Sequence, residues 1–379
     1  MSEVYINKIE KYLPNDPVPN EKMEDYLGLV NGNPSKSRSM ILRSNRIKTR
    51  YYALDNEGNP THSNAELTAI AIRKLFEDGA IKLSDIELLA AGTSSPDTIQ
   101  PSHALMVLGE LGSQPMEAVS PSGTCNAGML ALKYAYMAIL SGQCTNAVFA
   151  SSETFSSWMH ARNFKDEVDK RSELEENPYI AFEKDFLRWM LSDGAVAALV
   201  QDKPNSKGIS LQIDWIEIRS YANELETCMY AGCVKDKNGK VKGWRNYSSD
   251  QIGDLSVLSL KQDAKLLQKH ILQKGSEFLK DVVAKHNFNI EEVDYFLPHL
   301  SSMFFKKPSV ENMIENGIHI PEEKWFINLE KVGNVGAASA SLMIEELMNS
   351  GSLNVGEKIL LMVPESARFS YTYVLLSAV

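Results

Sequence analysis

Apolar residues recur in two rhythms along this chain. Short runs such as IELLAAGTS (86–94) and TNAVFASSE (145–153) read as buried strands, and amphipathic stretches such as SHALMVLGELG (102–112) read as helices between them. The opening MSEVYINKIEKYLPNDPV already alternates like a strand. The stretch ARNFKDEVDKRSELEENPYIAFEKDF (161–186) breaks the rhythm as a charged surface excursion, after which SDGAVAALVQD (192–202) returns to a buried strand. DYFLPHLSS (294–302), KVGNVGAASASLMIEELMNSG (331–351) and EKILLMVPESARFSYTYVLLSAV (357–379) then repeat the alternation. The expected class is α/β, with buried strands between helical layers.

One internal echo predicts a duplicated architecture. GTCNAGMLALKYAYMAILSG runs from Gly123 to Gly142 and GNVGAASASLMIEELMNSG from Gly333 to Gly351. Each reads as a helix of about five turns, opened by glycine and small residues and closed by Ser-Gly. Residues 1–203 and 204–379 are therefore expected to form two similar halves, the first carrying a cysteine and the second a histidine and an asparagine. The small residues suit helices packed closely at the centre.

Composition narrows the function. The 379 residues carry a formal net charge of −10, which excludes a general nucleic-acid binder, since no broad positive field is available to displace counterions. No apolar run approaches the roughly 20 residues of a membrane span, and the first residues lack the pattern of a secretion signal. Four cysteines in so long a chain form no disulfide framework and favour a reducing, cytoplasmic setting. No Cys-x-x-Cys or paired-histidine spacing suggests a metal, and no cofactor is expected. Against the acidic whole, KSRSMILRSNRIKTR (36–50) is a basic run without an acid, either a solvated loop or a docking site for a phosphate-bearing molecule.

The candidate chemistry centres on Cys125. A cysteine at a helix N-terminus meets unpaired N–H groups that lower a thiol pKa and make an attacking thiolate; a small buried core thiol is the competing reading. Gly123 and Gly128 leave room for a substrate to approach. Of the seven histidines, His299 lies directly after an apolar strand, where loops expose side chains. Asn334, at the second helix opening, reads as an ordinary cap or as an amide aimed at the same cavity. Glu153, ending a strand, is either paired with a cation near a dimer surface or a base for a second deprotonation.

In this order and spacing, SGTCNAG, FLPHLSS and VGNVGAAS resemble the ketoacyl synthase III branch of the thiolase superfamily. NRIKTRYYA, LLAAGTSSPDTIQPS and LSDGAVAALV extend the likeness over essentially the whole chain. The resemblance implies a thiolase fold, two pseudo-equivalent α/β halves with central sheets and buried helices in an αβαβα layering, and a homodimer. It implies that Cys125 takes an acyl group from a coenzyme A or acyl-carrier-protein thioester, and that His299 and Asn334 then assist attack by a second thioester's carbanion. Two N–H donors of that kind on a developing oxyanion are worth about 3 to 4 kcal/mol each. The backbone N–H groups of Cys125 and Ala367 map onto the oxyanion hole, Arg46 and Arg50 onto the pantetheine nucleotide contact, and Lys306 and Lys307 onto the carrier-protein dock. Lys261, Lys265 and Lys269 are spaced to share one helix face; by residue type alone, all these lysines read equally as solvated charges.

Two departures separate the chain from the family's usual pattern. VPESARFSYTYV replaces the closing glycine-rich loop, and Leu300, Ser301 and Ser302 replace Gln-Ala-Asn after the histidine. With Glu153 as a second base, these departures resemble ketosynthases that join two β-ketoacyl chains and cyclise them toward dialkylresorcinols. The alternatives are an initiating β-ketoacyl-carrier-protein synthase III, an acyltransferase forming an ester or amide, and a non-catalytic partner subunit.

Overall fold

The computed structural model describes residues 3–35, 37–163 and 186–379. Lys36 and nearly all of the expected surface excursion lie outside the described residues. Strands β1 (Tyr5–Tyr12), β2 (Leu88–Gly92), β3 (Glu117–Val119), β4 (Asn146–Glu153), β5 (Gly194–Gln201), β6 (Leu211–Ser220), β7 (Tyr295–Pro298), β8 (Lys358–Glu365) and β9 (Ser370–Ala378) form one mixed sheet in the order β7-β8-β9-β6-β1-β5-β4-β2-β3.

From its middle outward, the sheet repeats itself. β1, β5 and β4 are antiparallel neighbours and β2 lies parallel to β4; likewise β6, β9 and β8 are antiparallel neighbours and β7 lies parallel to β8. The seam between the two sets is two residue pairs, Tyr5 with Gln212 and Ile6 with Leu211, so the expected two sheets are continuous there. β3 adds a further parallel strand beside β2; beside β7 the counterpart is one bridge, Phe296 to Trp325. On this repetition we propose the division at 203 and 204.

The longer helices among the described residues are α1 (Asn64–Lys74), α2 (His103–Leu111), α3 (Ala127–Leu140), α4 (Ala264–His286), α5 (Lys306–Glu315) and α6 (Ser339–Met348). Strand alternation decides their layers. On β5, Val196, Ala198 and Val200 join one core cluster while Ala195, Ala197 and Leu199 join another. The first cluster holds α3 (Met129, Leu132) and α6 (Leu342, Leu347) against strands of both sets, such as Phe149 and Val374. The second holds α1 and α2 on the opposite face, and Ile271, Phe278 and Leu279 of α4 cover Tyr371 and Tyr373 in the same way. Two helices thus lie in the middle, with strand layers and outer helices around them.

The echo between the two central helices is looser than its letters. α3 has 14 residues and begins two residues after Cys125. α6 has ten and is preceded by a 3-10 turn over Gly336–Ala338, because the Asn334 side chain takes the Gly336 N–H and diverts the backbone from the α-helical pattern. Lys261 also departs from expectation: it lies in a two-residue strand ahead of Asp263, whose side chain caps α4 through the Leu266 N–H, so only Lys265 and Lys269 are helical.

Candidate active site

Thr124, Cys125 and Asn126 form the turn into α3, and Cys125 is 9% exposed. The turn's donors are not free. One Glu365 carboxylate oxygen accepts the Thr124 N–H at 2.9 Å and the Asn126 N–H at 3.2 Å, from the end of β8. The expected lowering of the thiol pKa is therefore overturned. Burial pushes the Cys125 thiol well up, and the charges of Glu365 and Glu153 push the same way.

His299 follows β7, and its N–H donates to the Met362 carbonyl at 2.8 Å, so strand pairing carries on to the histidine itself. The loop does not expose it. His299 is 3% exposed, and desolvation lowers its pKa to about 4, which keeps the imidazole neutral. Asn334 is fixed from both sides. Its backbone exchanges hydrogen bonds with Met190 and Ser192, and its Oδ1 accepts from the Gly336 N–H at 2.9 Å and from Ser339 Oγ at 3.3 Å. A backbone N–H must meet an oxygen, so Nδ2 is the end turned away from these partners. Gly333 makes this path possible: its φ is +73°, and a Cβ there would stand 2.8 Å from Ser192 Cβ.

Cys125, His299 and Asn334 line one cavity of about 910 Å³ of empty space, walled mainly by apolar side chains such as Leu191, Leu267, Ile271 and Phe305. A second space of about 2590 Å³, open to solvent, adjoins it; Ser94, Thr124, Phe155, Met229 and Leu260 border both. The first is the inner cavity and the second the outer cleft. Ala367, expected at the oxyanion hole, borders the outer cleft, while its neighbour Ser366 borders the inner cavity.

Other expected residues fall elsewhere. Gly128 does not make room for substrate: a Cβ there would stand 2.4 Å from the Ala337 carbonyl oxygen and 2.7 Å from Ser151 Cβ, so its bareness lets the two central helix openings touch. Arg50, expected at a nucleotide, is fully buried, donating to Asn20 Oδ1 at 2.7 Å and to the Trp189 carbonyl at 3.1 Å. Its guanidinium holds the fold. Arg46 is exposed at the left-handed cap of the helix Arg38–Asn45 and borders neither space; Lys306 and Lys307 pair with Glu322 and Glu311. Arg162 borders the outer cleft, a place its sequence context hides because it opens the charged stretch that reads as an excursion.

Glu153 meets no cation among the described residues. Its carboxylate is fully buried and accepts from Thr93 Oγ1, the N–H and hydroxyl of Ser94, Ser95 Oγ and the Ala337 N–H. Burial outweighs these donors and raises its pKa to about 7. It stands behind the cavity wall, tying the loop after β2 to the opening of α6. Asp193, in the LSDG segment, works similarly: it accepts from the Ala53 and Ser156 N–H groups and the Ser156 hydroxyl, and burial raises its pKa to about 6.

Residues 283–367, which include His299 and Asn334, match the model of the 3-oxoacyl-[acyl-carrier-protein] synthase III C-terminal family. The chain is 24% identical over 350 residues to a β-ketoacyl-[acyl-carrier-protein] synthase III of Clostridium perfringens, covering 92% of each chain. It is 25% identical over 364 residues to a Neisseria gonorrhoeae protein of the same name, covering 95% of each. Among solved structures, AbyA1, a tetronic acid condensing enzyme, and Xanthomonas campestris OleA with bound lauric acid and lauroyl-CoA each superpose over 99% of both chains, at 17% identity and a TM-score of 0.73. By these comparisons the chain has the fold of a solved 3-oxoacyl-(acyl-carrier-protein) synthase III and is ketoacyl synthase III-like over nearly its whole length.

Proposed function

We propose that the protein joins two acyl thioesters by a Claisen-type condensation through an acyl-Cys125 intermediate. The observation that carries this reading is the convergence of Cys125, His299 and Asn334, from three separate elements, on one apolar cavity. In the first step the Cys125 sulfur attacks the donor carbonyl and the departing thiol carries off the proton, so one S–H replaces another and no net proton moves. In the second step a malonyl-type thioester releases carbon dioxide. The enolate oxygen accepts from a neutral His299 N–H and the Asn334 Nδ2–H, and the enolate carbon attacks the acyl carbonyl and expels Cys125 as a thiolate, which takes one proton from solvent to restore the resting thiol. A histidine held neutral serves as a donor throughout the neutral pH range.

Delivery is assigned to the outer cleft, where Arg162 supplies positive charge and Trp158 and Trp244 supply aromatic faces. Lys306 and Lys307, near the histidine loop, are proposed as the carrier-protein contact. A homodimer is proposed on the free edge of β3, which pairs with no further strand among the described residues, beside exposed Ile99, Leu105 and Met137. No helix among the described residues is long and apolar enough to cross a membrane. A reducing, cytoplasmic setting is proposed on the four cysteines, none of which enters a disulfide. Glu153, held by five donors, is assigned a positioning role. A single carbon–carbon bond is thereby favoured over the dialkylresorcinol route, which needs a base in the cavity.

Intact-protein mass spectrometry with a panel of acyl-CoA and acyl-carrier-protein thioesters tests the reading. Wild type is expected to gain the acyl mass and Cys125→Ala to gain none, while His299→Ala and Asn334→Ala load but fail to condense. Condensing activity in all three variants overturns it.

A further inference from the structure

Polar groups inside the apolar cavity lack partners. Gln262 is 3% exposed, and among the described residues its amide makes no hydrogen bond; its Oε1 is wholly enclosed. Ser309 Oγ, on α5 and 3% exposed, is likewise unpaired. Both residues line the cavity that holds Cys125, as does Ser276 on α4. A buried amide without partners is costly in a folded protein and is rarely left so.

Local structure places the amide deliberately. Lys261 and Gln262 pair with Tyr230 and Met229 as a two-residue strand, and the Asp263 cap of α4 follows at once, so the Gln262 backbone is held at both ends. Leu260 borders both the cleft and the cavity, whereas Gln262, two residues on along extended backbone, borders the cavity alone. The amide therefore stands just inside the throat, on the path from the cleft to Cys125. A plain alkyl chain there would leave both ends of the amide unpaired. A chain bearing an oxygen function satisfies them: a carbonyl oxygen accepts from Nε2–H, and a hydroxyl or enol donates to Oε1.

We propose that Gln262 is a specificity-determining residue that selects acyl donors carrying a carbonyl or hydroxyl oxygen on the chain, the 3-oxoacyl class first among them. The inference rests on the acyl-cysteine reading and deepens it. A Claisen condensation of two thioesters itself yields a 3-oxoacyl thioester, so a reaction of the same class supplies such a donor.

The test compares Cys125 loading by 3-oxooctanoyl, 3-hydroxyoctanoyl and octanoyl carrier-protein thioesters, by time-resolved intact mass, in wild type, Gln262→Leu and Ser309→Ala. Wild type should favour an oxygenated chain over octanoyl by at least about tenfold in kcat/KM. In Gln262→Leu that ratio should collapse to about unity, and in Ser309→Ala it should fall by a smaller factor. Neither side chain makes a hydrogen bond within the described structure, so both variants are expected to fold, checked by their melting curves. Equal loading of all three donors by wild type overturns the inference while leaving the acyl-cysteine reading standing. So does an equal loss for every donor in Gln262→Leu, because the amide would then be reading the shared pantetheine arm. No adduct on wild type from any donor, oxygenated or plain, overturns the acyl-cysteine reading and this inference with it.

Discussion

The openings of α3 and α6 start from similar letters and end in different chemistry. The first is capped from far away: Glu365, 241 residues from Thr124, accepts the N–H groups on either side of Cys125. The second is capped from within, by Asn334 Oδ1 on the Gly336 N–H two residues on. The Cys125 opening thus carries a foreign negative charge that adds to burial in keeping the thiol protonated, while the other opening spends its amide oxygen on itself and leaves its N–H end for the cavity. On the proposed mechanism the two openings divide the work, the first holding the nucleophile and the second presenting a donor.

The largest effect expected to separate the openings is kinetic. Cys125→Ala should abolish loading outright, whereas Asn334→Ala should keep loading within about tenfold and lower condensation by about 10² to 10³; single-turnover loading and product formation measured on the same samples decide it. Equal losses in both steps for Asn334→Ala would remove the division of labour.

Next comes the carboxylate that ties the second opening to the first half. With its pKa raised to about 7, Glu153 binds a proton in the folded state between pH 4.5 and 7 that it does not bind when unfolded. Its contribution to stability therefore falls as pH rises through that window, by up to about 3 kcal/mol. Glu153→Gln removes this titration, so the variant should gain on wild type between pH 5 and pH 7 in urea unfolding. His299, lowered to about 4, runs the other way: the unfolded state takes up its proton first, so stability is lost as pH falls from 6.5. A Glu153→Gln difference independent of pH would mean the carboxylate is ionised throughout.

A smaller effect tests the contact between the openings. Gly128→Ala forces a methyl against the Ala337 carbonyl and Ser151, and should cost about 1 to 3 kcal/mol by denaturant midpoint. An unchanged midpoint would show that the helices part easily. Smallest is the effect of the foreign cap. Glu365→Gln should lower the Cys125 pKa by up to about one unit and raise its iodoacetamide alkylation rate about three- to tenfold at fixed pH; an unaltered rate would assign the raised pKa to burial alone.

Much of this was legible in the chain. SGTCNAG, FLPHLSS and VGNVGAAS name three residues that do meet in one cavity, because each lies at the end of a strong hydrophobic rhythm that fixes where its element stops. What was not legible depends on pairs distant in sequence. Nothing near Cys125 announces Glu365, and nothing in KSRSMILRSNRIKTR distinguishes Arg50, buried against Asn20 and Trp189, from exposed Arg46. Gln262 has no motif at all. Its meaning lies in having no hydrogen-bond partner among the described residues, which only the packed molecule can show.

The Glu365 cap also sets an order of events during synthesis. The cysteine turn leaves the ribosome some 241 residues ahead of the acid that closes it, and that acid sits at the tip of the β8–β9 hairpin. Until β8 is made and paired, the thiol's backbone neighbours stay uncapped by Glu365. A chain cut short before β8 would carry the Cys125 turn without its carboxylate cap, so the β8–β9 hairpin completes a turn laid down some 241 residues earlier.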